Sequence, residues 1–322
     1  MSEPLLQVDD LRKAFVLHDG RKLHAVRNVS FVLHRGETLG LVGESGSGKS
    51  TVGRCILKLQ QPDGGRIWFD GSDLTALGPK QMLPYRPRIQ IVFQDPFSSL
   101  NAHMRIHDII TEPLRLHTKL TRNQQEARVA GMIERVGLDQ SVSRYFPGDI
   151  TASEQQRVGI ARAFICEPQC VVLDEPTSAL DPRARSNLLA LLSELQLETG
   201  AGYLFISHDM NSIAKISDRI AVMYLGSLVE SGPAQAVLTN QKHPYSMALL
   251  SSVLYPDPAR PPHSYGLEGE IPSAIGVRDE CPLVGRCPIR QPDCASEYPL
   301  LRTVGPGRQS ACRYHERLGS IS

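Results

Sequence analysis

A glycine-rich segment near residue 45 has the residue types and spacing of a phosphate-binding loop. Its glycines let the backbone curl until successive N–H groups point at phosphate oxygens, its lysine adds a positive charge, and the hydroxyl after the lysine can ligate Mg²⁺. A strand-like apolar run, Thr38–Val42, precedes the segment and a helix-like run, Val52–Leu59, follows it, so a helix N-terminus also faces the anion. This order favours nucleotide binding over the alternative of a flexible glycine-rich turn. The segment consists of Gly43, Glu44, Ser45, Gly46, Ser47, Gly48, Lys49, Ser50 and Thr51.

Three further apolar runs end in polar residues suited to phosphate chemistry. Asp174 could hold Mg²⁺ through water, and Glu175 could orient or deprotonate the attacking water. His208 could donate a hydrogen bond to a γ-phosphate, and Gln94 is similarly placed. The alternatives are a helix N-cap for the acidic pair and a structural role for the histidine; a phosphate loop in the same chain makes both less favoured. The runs and their end residues are Cys170–Asp174 with Glu175, Ile89–Phe93 with Gln94, and Tyr203–Ser207 with His208.

The composition excludes some classes of protein. Lysine and arginine (35) nearly balance aspartate and glutamate (34), so the net charge of +1 gives no electrostatic footprint for nucleic acid, and we expect no nucleic-acid partner. No run reaches the roughly 18 consecutive apolar residues of a membrane-spanning helix. The first residues also lack the basic-then-apolar pattern of a signal peptide. We therefore expect a cytosolic chain whose seven cysteines are metal ligands or buried thiols rather than disulfides.

Strands that alternate with helices predict an α/β core around these residues. We expect short strands at three places within residues 5–37 and a helical insertion at about 96–158, in which Thr121 opens a helix. After about Leu254 prolines cluster and four of the seven cysteines follow. We therefore predict a nucleotide-binding domain over residues 1–255 and a small cysteine-rich domain over residues 256–322.

The ordered motifs together resemble the ATP-binding cassette (ABC) superfamily over about residues 5–250. The resemblance implies a P-loop NTPase (RecA-like) α/β core with a helical ABC subdomain, and ATP with Mg²⁺ as ligands. It implies that Ser50, Gln94 and Asp174 serve Mg²⁺, and that Phe15 stacks on adenine, although a core phenylalanine is the alternative there. The matching motifs are Walker A at Gly43–Thr51, the Q-loop at Gln94, Walker B at Cys170–Asp174 with the catalytic Glu175, the D-loop at Ser178–Asp181 and the switch histidine at His208.

Three further segments resemble the oligopeptide/dipeptide importers, and among their two ATPases the second, or F-type, subunit. This resemblance implies four kinds of partner or setting: a second, non-identical ABC ATPase, two transmembrane permease subunits, an extracytoplasmic solute-binding protein, and a peripheral place on the cytoplasmic face of the inner membrane. The alternatives are a soluble, non-transport ABC ATPase and a regulatory subunit that senses ATP or redox state with low turnover. The matching segments are Val92–Asn101, His243–Tyr245 with Ala248–Leu250, and the tail from Cys281 to Cys312.

One motif departs from the superfamily. Where the Leu-Ser-Gly-Gly-Gln signature should contact the partner's ATP, the chain reads Ile150, Thr151, Ala152, Ser153 and Glu154. Thr151 keeps a hydroxyl, but Ala152 and Ser153 add Cβ atoms and Glu154 brings a carboxylate towards an anion. We therefore expect a degenerate site and a heterodimer; a tolerated surface substitution is the alternative.

The tail holds four cysteines, Cys281, Cys287, Cys294 and Cys312, with five, six and seventeen residues between them. This is not the paired C-x-x-C spacing of a common zinc ribbon, yet four thiolates can hold Zn²⁺ or a [4Fe–4S] cluster. The resemblance to the importer tail favours the cluster over zinc. The other cysteines, Cys55, Cys166 and Cys170, are expected in the core.

Overall fold

A computed structural model describes residues 3–251, 266–269, 272–276 and 279–320. These residues form twelve strands and nine α-helices. The strands are β1 (Leu6–Val16), β2 (Lys22–Leu33), β3 (Thr38–Val42), β4 (Gly64–Phe69), β5 (Ser72–Asp73), β6 (Ile89–Val92), β7 (Cys170–Asp174), β8 (Gly202–Ser207), β9 (Arg219–Tyr224), β10 (Ser227–Pro233), β11 (Arg302–Gly305) and β12 (Arg308–Ser310). The helices are α1 (Lys49–Ile56), α2 (Pro96–Ser99), α3 (Ile106–His117), α4 (Arg122–Arg135), α5 (Ala152–Phe164), α6 (Pro182–Thr199), α7 (Met210–Ile216), α8 (Ala234–Thr239) and α9 (Pro244–Ser251). Short 3₁₀ turns lie at Gln140–Arg144, Pro147–Asp149, Pro292–Ala295 and His315–Ser320.

The chain divides into two compact units, and the first comprises Met1–Leu6, Leu33–Glu37 and Phe69–Ile206. Its sheet has the order β8-β7-β6, with β7 parallel to both neighbours. All five residues of β7 are buried, as expected for the near-continuous apolar strands of a parallel sheet. The predicted strand Cys170–Asp174 is therefore confirmed residue for residue.

Between β6 and β7 the described elements are helical, from α2 to α5. Thr121 caps α4 as predicted: its hydroxyl accepts from the Gln124 N–H while the Gln124 side chain accepts from the Thr121 N–H. The apolar positions Val129, Met132 and Ile133 are the buried residues of that helix. An amphipathic helix with a reciprocal cap thus forms where the sequence indicates one.

The second unit comprises Gln7–Val32, Thr38–Trp68 and Ser207–Ser322. Its main sheet has the order β11-β12-β10-β9-β3, in which β3 and β9 are parallel and the pairs from β9 outward are antiparallel. All five residues of β3 are buried, and the strand leads directly into the glycine-rich loop and α1. A second sheet includes β2, β1 and β4 in that order.

The N-terminal strands are fewer and longer than predicted. Two strands of 11 and 12 residues, β1 and β2, replace the expected short ones. Asn28 inside β2 has a φ of 50°, and the buried positions change from even (Val26) to odd (Val29) across it. A left-handed residue of this kind shifts the alternation of faces without ending the strand. The alternation in the sequence therefore predicts two short strands where the structure has the single strand β2.

The tail contributes β11 and β12 to the main sheet of the second unit, where Glu230 of β10 is in register with Ser310 of β12. The proposed domain boundary near residue 255 and the proline cluster after Leu254 lie outside the described residues. The cysteines expected in the core differ in burial. Cys55 on α1 and Cys170 on β7 are fully buried, whereas Cys166 lies just past α5 and is only partly buried.

Candidate functional site

The loop between β3 and α1 has the backbone shape that its glycines permit. Gly48 has a φ of 104°, a left-handed conformation that residues with a Cβ rarely adopt. A Cβ at Gly48 would lie 2.0 Å from the Ala25 carbonyl oxygen, and one at Gly43 would lie 2.1 Å from that of Met223. Only glycine fits at these two positions, so the loop is held against neighbouring backbone and cannot be an unconstrained turn.

Lys49 is the first residue of α1 and lies almost entirely buried, with 4% of its surface exposed. Its ammonium group donates to the carbonyl oxygens of Gly43, at 2.7 Å, and Glu44, at 2.9 Å. These contacts hold a positive charge within the curve of the loop, at the N-terminus of a helix. An anion would therefore meet a fixed cation and backbone N–H groups at the same place.

Glu44 itself receives two contacts from the C-terminal part of the chain. Its N–H donates to the Tyr245 hydroxyl at 2.9 Å, and its carboxylate lies 3.9 Å from a guanidinium nitrogen of Arg286. The sequence reasoning assigned neither residue to the phosphate loop. Nothing in local spacing could have done so, because about 200 residues or more separate them from Glu44 along the chain.

The first unit brings two of the predicted catalytic residues together. The Gln94 amide nitrogen donates to the Glu175 carboxylate at 3.2 Å. Asp174, the last residue of β7, and Glu175 are both buried, at 2% and 9% exposure. Glu175 has a φ of 47°, and its N–H donates to the Ile206 carbonyl of β8 at 2.9 Å. A glutamate held in this unusual conformation at the end of a buried strand is typical of a functional site.

The other predicted residues are placed as follows. His208 follows β8 and is exposed, while Asp209 after it caps α7 by accepting from the Asn211 N–H. Asp181 of the predicted D-loop caps α6 by accepting from two backbone N–H groups. Phe15 lies near the end of β1, partly exposed, with the Lys13 ammonium 5.5 Å from its ring centre. A partly exposed ring is compatible with stacking on a planar ligand, and the assignment of Phe15 to adenine stays a prediction.

The departure from the signature lies at the N-terminus of α5. Thr151 is the N-cap: its hydroxyl oxygen accepts from the Glu154 N–H at 3.3 Å. In return, one Glu154 carboxylate oxygen accepts from the Thr151 N–H and from its hydroxyl, both at 2.8 Å. The Glu154 carboxylate is thus bonded back onto its own helix terminus, and its proximity to a partner's anion stays a prediction.

Comparison with known proteins decides the family. The family model described as ABC transporter matches residues 26–178, and the one described as oligopeptide/dipeptide transporter, C-terminal region, matches residues 229–294. The chain is 39% identical over 318 residues to the probable peptide ABC transporter ATP-binding protein y4tS of Sinorhizobium fredii, covering 97% of this chain and 90% of that protein. The chain belongs to the ABC transporter family of ATPases.

A second relative and a solved structure support the same family. The chain is 42% identical over 308 residues to the oligopeptide transport ATP-binding protein OppF of Escherichia coli, covering 92% of each chain. Among solved structures, cbiO1 from Clostridium perfringens, part of the ABC transporter complex cbiONQ, matches with a TM-score of 0.65 and 28% identity, covering 73% of this chain and 91% of that one. The predicted α/β ABC fold and ATPase class are confirmed, and ATP and Mg²⁺ are the ligands of such an enzyme.

The four tail cysteines of this ABC ATPase line one small cavity of about 30 Å³. Burial raises the pKa of the Cys281 thiol to about 11 and that of the Cys312 thiol to about 12, and the Cys287 pKa is raised for the same reason. Within the part of the chain that the structure describes, no three His, Cys, Asp or Glu side chains are grouped closely enough to hold a metal ion. The cysteines therefore share a cavity without forming a preset single-ion site.

Among the described residues, no helix combines the length and the apolar character needed to cross a membrane.

Proposed function

We propose that this ABC ATPase is the ATP-hydrolysing subunit of a bacterial importer for peptides or related small solutes. The C-terminal region match and the relatives named for peptide transport support this solute class. In this proposal two transmembrane permease subunits and an extracytoplasmic solute-binding protein complete the importer, and the ATPase is peripheral on the cytoplasmic face of the inner membrane. Co-purification with permease subunits supports it; a chain recovered only in soluble, non-transport complexes contradicts it.

The residues present suit ATP and Mg²⁺. The loop N–H groups and Lys49 would bind the phosphates, and Ser50, Gln94 and Asp174 would serve the metal. Glu175 would take a proton from, or orient, the attacking water, with Gln94 fixing the direction of its carboxylate. His208 would donate to the γ-phosphate. Bound Mg²⁺ would neutralise charge on the phosphates.

We further propose that the chain works beside a second, non-identical ATPase, and that the site containing its own signature segment is degenerate. The self-capped terminus of α5 carries this proposal. The hydroxyl of Thr151 already donates to Glu154, and Ala152 and Ser153 carry Cβ atoms where the family has glycine. A terminus whose polar groups are satisfied by its own side chains, one of them anionic, is poorly suited to hold a partner's phosphate.

Mutagenesis in the assembled complex tests the asymmetry. Glu175→Gln in this chain removes the base at the competent site and should lower transport-coupled ATPase at least about 100-fold. The equivalent change in the partner should matter much less. The reverse ranking contradicts the proposal, and so does vigorous ATP hydrolysis by the purified chain alone, because a homodimer would contain only degenerate signatures.

We also propose that the cysteine-lined cavity holds a [4Fe–4S] cluster, with zinc as the alternative. Four thiols on one cavity are a suitable donor set. A tetrahedral zinc, with Zn–S bonds of about 2.3 Å, is the alternative for the same four thiols. The resemblance of the tail to that of the peptide importers favours the cluster over zinc.

Anaerobic purification of the full chain distinguishes these outcomes. A broad absorbance band near about 400 nm with about four irons per chain supports the cluster. Stoichiometric zinc without the band, or neither metal, contradicts it. Cys281→Ser should remove the band, whereas Cys166→Ser, at a half-buried cysteine that does not line the cavity, is the matched control.

A further inference from the structure

The second residue of the phosphate loop, Glu44, is held by side chains from two segments of the C-terminal part of the chain. Tyr245 accepts its backbone N–H, and Arg286 faces its carboxylate. All three residues belong to the second unit. The loop that receives the phosphates is therefore supported from outside its own strand and helix.

Tyr245 is rigidly placed. It is 1% exposed and lies on α9, where its own N–H donates to the His243 imidazole at 3.2 Å. Its ring packs against that of Tyr224, with ring centres 4.5 Å apart. The hydroxyl that meets Glu44 is therefore fixed by packing on one side and by a backbone contact on the other. A rigid acceptor of this kind fixes the direction of the Glu44 N–H.

Arg286 lies in the tail, between Cys281 and Cys287, and the backbone of this segment fixes its position. It immediately precedes Cys287, and its N–H donates to the Leu283 carbonyl at 2.9 Å in a tight turn. Its side chain is 12% exposed, and one guanidinium nitrogen lies 3.5 Å from the Tyr224 hydroxyl as well as 3.9 Å from Glu44. Arg286 thus lies beside both the Glu44 carboxylate and the hydroxyl of Tyr224, whose ring packs against Tyr245.

The Glu44 carboxylate lies beside this cation. The Glu44 side chain is 35% exposed, but its Oε2 atom is buried without a hydrogen-bond partner in the described structure, and the Arg286 guanidinium is the cation that faces this atom. A carboxylate on a phosphate-binding loop also repels the phosphates, and a neighbouring positive charge reduces that repulsion. Removing the cation should therefore weaken anion binding without touching the phosphate-binding groups.

We propose that Arg286 and Tyr245 are positioning residues for nucleotide binding: Arg286 neutralises Glu44, and Tyr245 fixes the loop backbone at the same residue. The C-terminal segment thereby sets the affinity of the phosphate loop for ATP. This inference goes beyond the proposed heterodimer and the proposed cluster, and it requires only that the loop binds nucleotide.

A double-mutant cycle tests the role of Arg286. The measurement is the Kd of the full-length chain for a fluorescent N-methylanthraniloyl derivative of ATP with Mg²⁺. Arg286→Met should weaken binding at least about fivefold, whereas Arg286→Lys, which keeps the charge, should stay within about twofold of wild type. In a chain that also carries Glu44→Gln, the effect of Arg286→Met should fall below about twofold.

The cycle separates positioning from a general structural role. If Arg286→Met weakens binding equally with and without Glu44→Gln, or does not weaken it at all, the inference is overturned. Arg290→Met, an exposed arginine in the same segment, is the matched control and should leave the Kd unchanged. Because the cycle measures binding by the single chain, it is independent of whether the heterodimer or the cluster exists.

Tyr245→Phe tests the second contact. Because this substitution keeps the buried ring, it also provides a test if the arginine variants fail to fold. It should weaken nucleotide binding about fivefold, since the Glu44 N–H loses its fixed acceptor. Tyr203→Phe is the control, because it also loses a buried hydroxyl bond, here to the Leu192 carbonyl, away from the phosphate loop. Equal Kd values for Tyr245→Phe and wild type overturn this half of the inference.

Discussion

The side-chain amide of Gln94 donates to the carboxylate of Glu175 at 3.2 Å. Gln94 lies two residues beyond the end of β6, and Glu175 directly follows β7, the parallel neighbour of β6. Glu175 also has a left-handed backbone, which its N–H contact with Ile206 on β8 helps to maintain. Gln94 thus holds the side chain of Glu175, and Ile206 holds its backbone. The role of Gln94 is therefore orientation of Glu175 as well as any contact with a metal.

Gln94→Ala should lower ATPase activity of the assembled complex about tenfold or more, because the carboxylate loses the donor that directs it. The measurement is the rate at saturating ATP across a range of Mg²⁺ concentrations. If Gln94 orients Glu175, high Mg²⁺ should not restore the rate. Full recovery at high Mg²⁺ would show that Gln94 acts only as a metal ligand. Gln90→Ala, on β6 and with its side-chain amide donating to the Arg86 carbonyl, is the control.

Thr151→Val should destabilise the chain by about 1 kcal/mol, because the N-cap hydroxyl of α5 is lost. Glu154→Gln should cost less, since a glutamine side chain also accepts at that position of a capping box. Urea denaturation of the full chain measures both. Thr121→Val removes the same cap from α4 and should cost a similar amount. A loss for Thr121→Val with none for Thr151→Val would mean that the Thr151 hydroxyl does not support α5.

Local patterns were enough to predict the phosphate loop, the strand β7 and the cap of α4. Each depends on residues adjacent in sequence: glycines with a lysine, an apolar run, and a threonine three residues before a glutamine. Glu154 belongs to a second pattern of the same kind. Its sequence position predicts a carboxylate near a partner's anion, and that stays a prediction; the same position, three residues after Thr151, also completes a capping box, which the structure shows.

The support of the loop by Tyr245 and Arg286 could not be predicted from local spacing. It depends on tertiary contacts between segments about 200 or more residues apart. The long strand β2 was missed for a different reason, since the left-handed Asn28 shifts the buried face partway along it. Both cases depend on backbone geometry that the types of neighbouring residues do not determine.

His243 should make the stability of the chain depend on pH. Burial lowers its pKa to about 3, and the ring is 2% exposed. Below about pH 6.5 the unfolded chain therefore binds a proton that the folded chain does not. The unfolding free energy then decreases by up to about 1.4 kcal/mol for each pH unit by which the pH is lowered. Above about pH 6.5 both states hold the neutral imidazole, and His243 causes no such loss of stability.

Urea denaturation at pH 7.5 and 5.5 checks this expectation. The fall in unfolding free energy between the two should be about 1 kcal/mol smaller for His243→Gln than for wild type. His18→Gln, at an exposed position, controls for removal of an imidazole. An identical fall in wild type and His243→Gln would show that the buried ring does not resist protonation.

The buried pair of Glu230 and Arg308 should anchor the tail strand to the main sheet. A guanidinium nitrogen of Arg308 lies 2.8 Å from a Glu230 carboxylate oxygen, which also accepts the Lys242 N–H at 2.8 Å. Glu230 is 0% exposed. Arg308→Met leaves that carboxylate buried without its cation and should cost about 3–5 kcal/mol at pH 7.5. Urea denaturation of the full chain measures the loss.

The pH dependence of that loss identifies its cause. Burial raises the pKa of Glu230 even though Arg308 and hydrogen bonds oppose the shift, and removing Arg308 should raise the pKa further. The folded variant then takes up a proton at a higher pH than the unfolded chain, so its stability should recover as the pH falls towards 5. The difference in unfolding free energy between wild type and Arg308→Met should thus be smaller at pH 5.5 than at 7.5.

Adding Glu230→Gln to Arg308→Met should remove most of the loss of stability at pH 7.5, because no buried charge remains. A loss that is the same at both pH values and in the double variant would assign it to side-chain packing of Arg308 instead of to its charge.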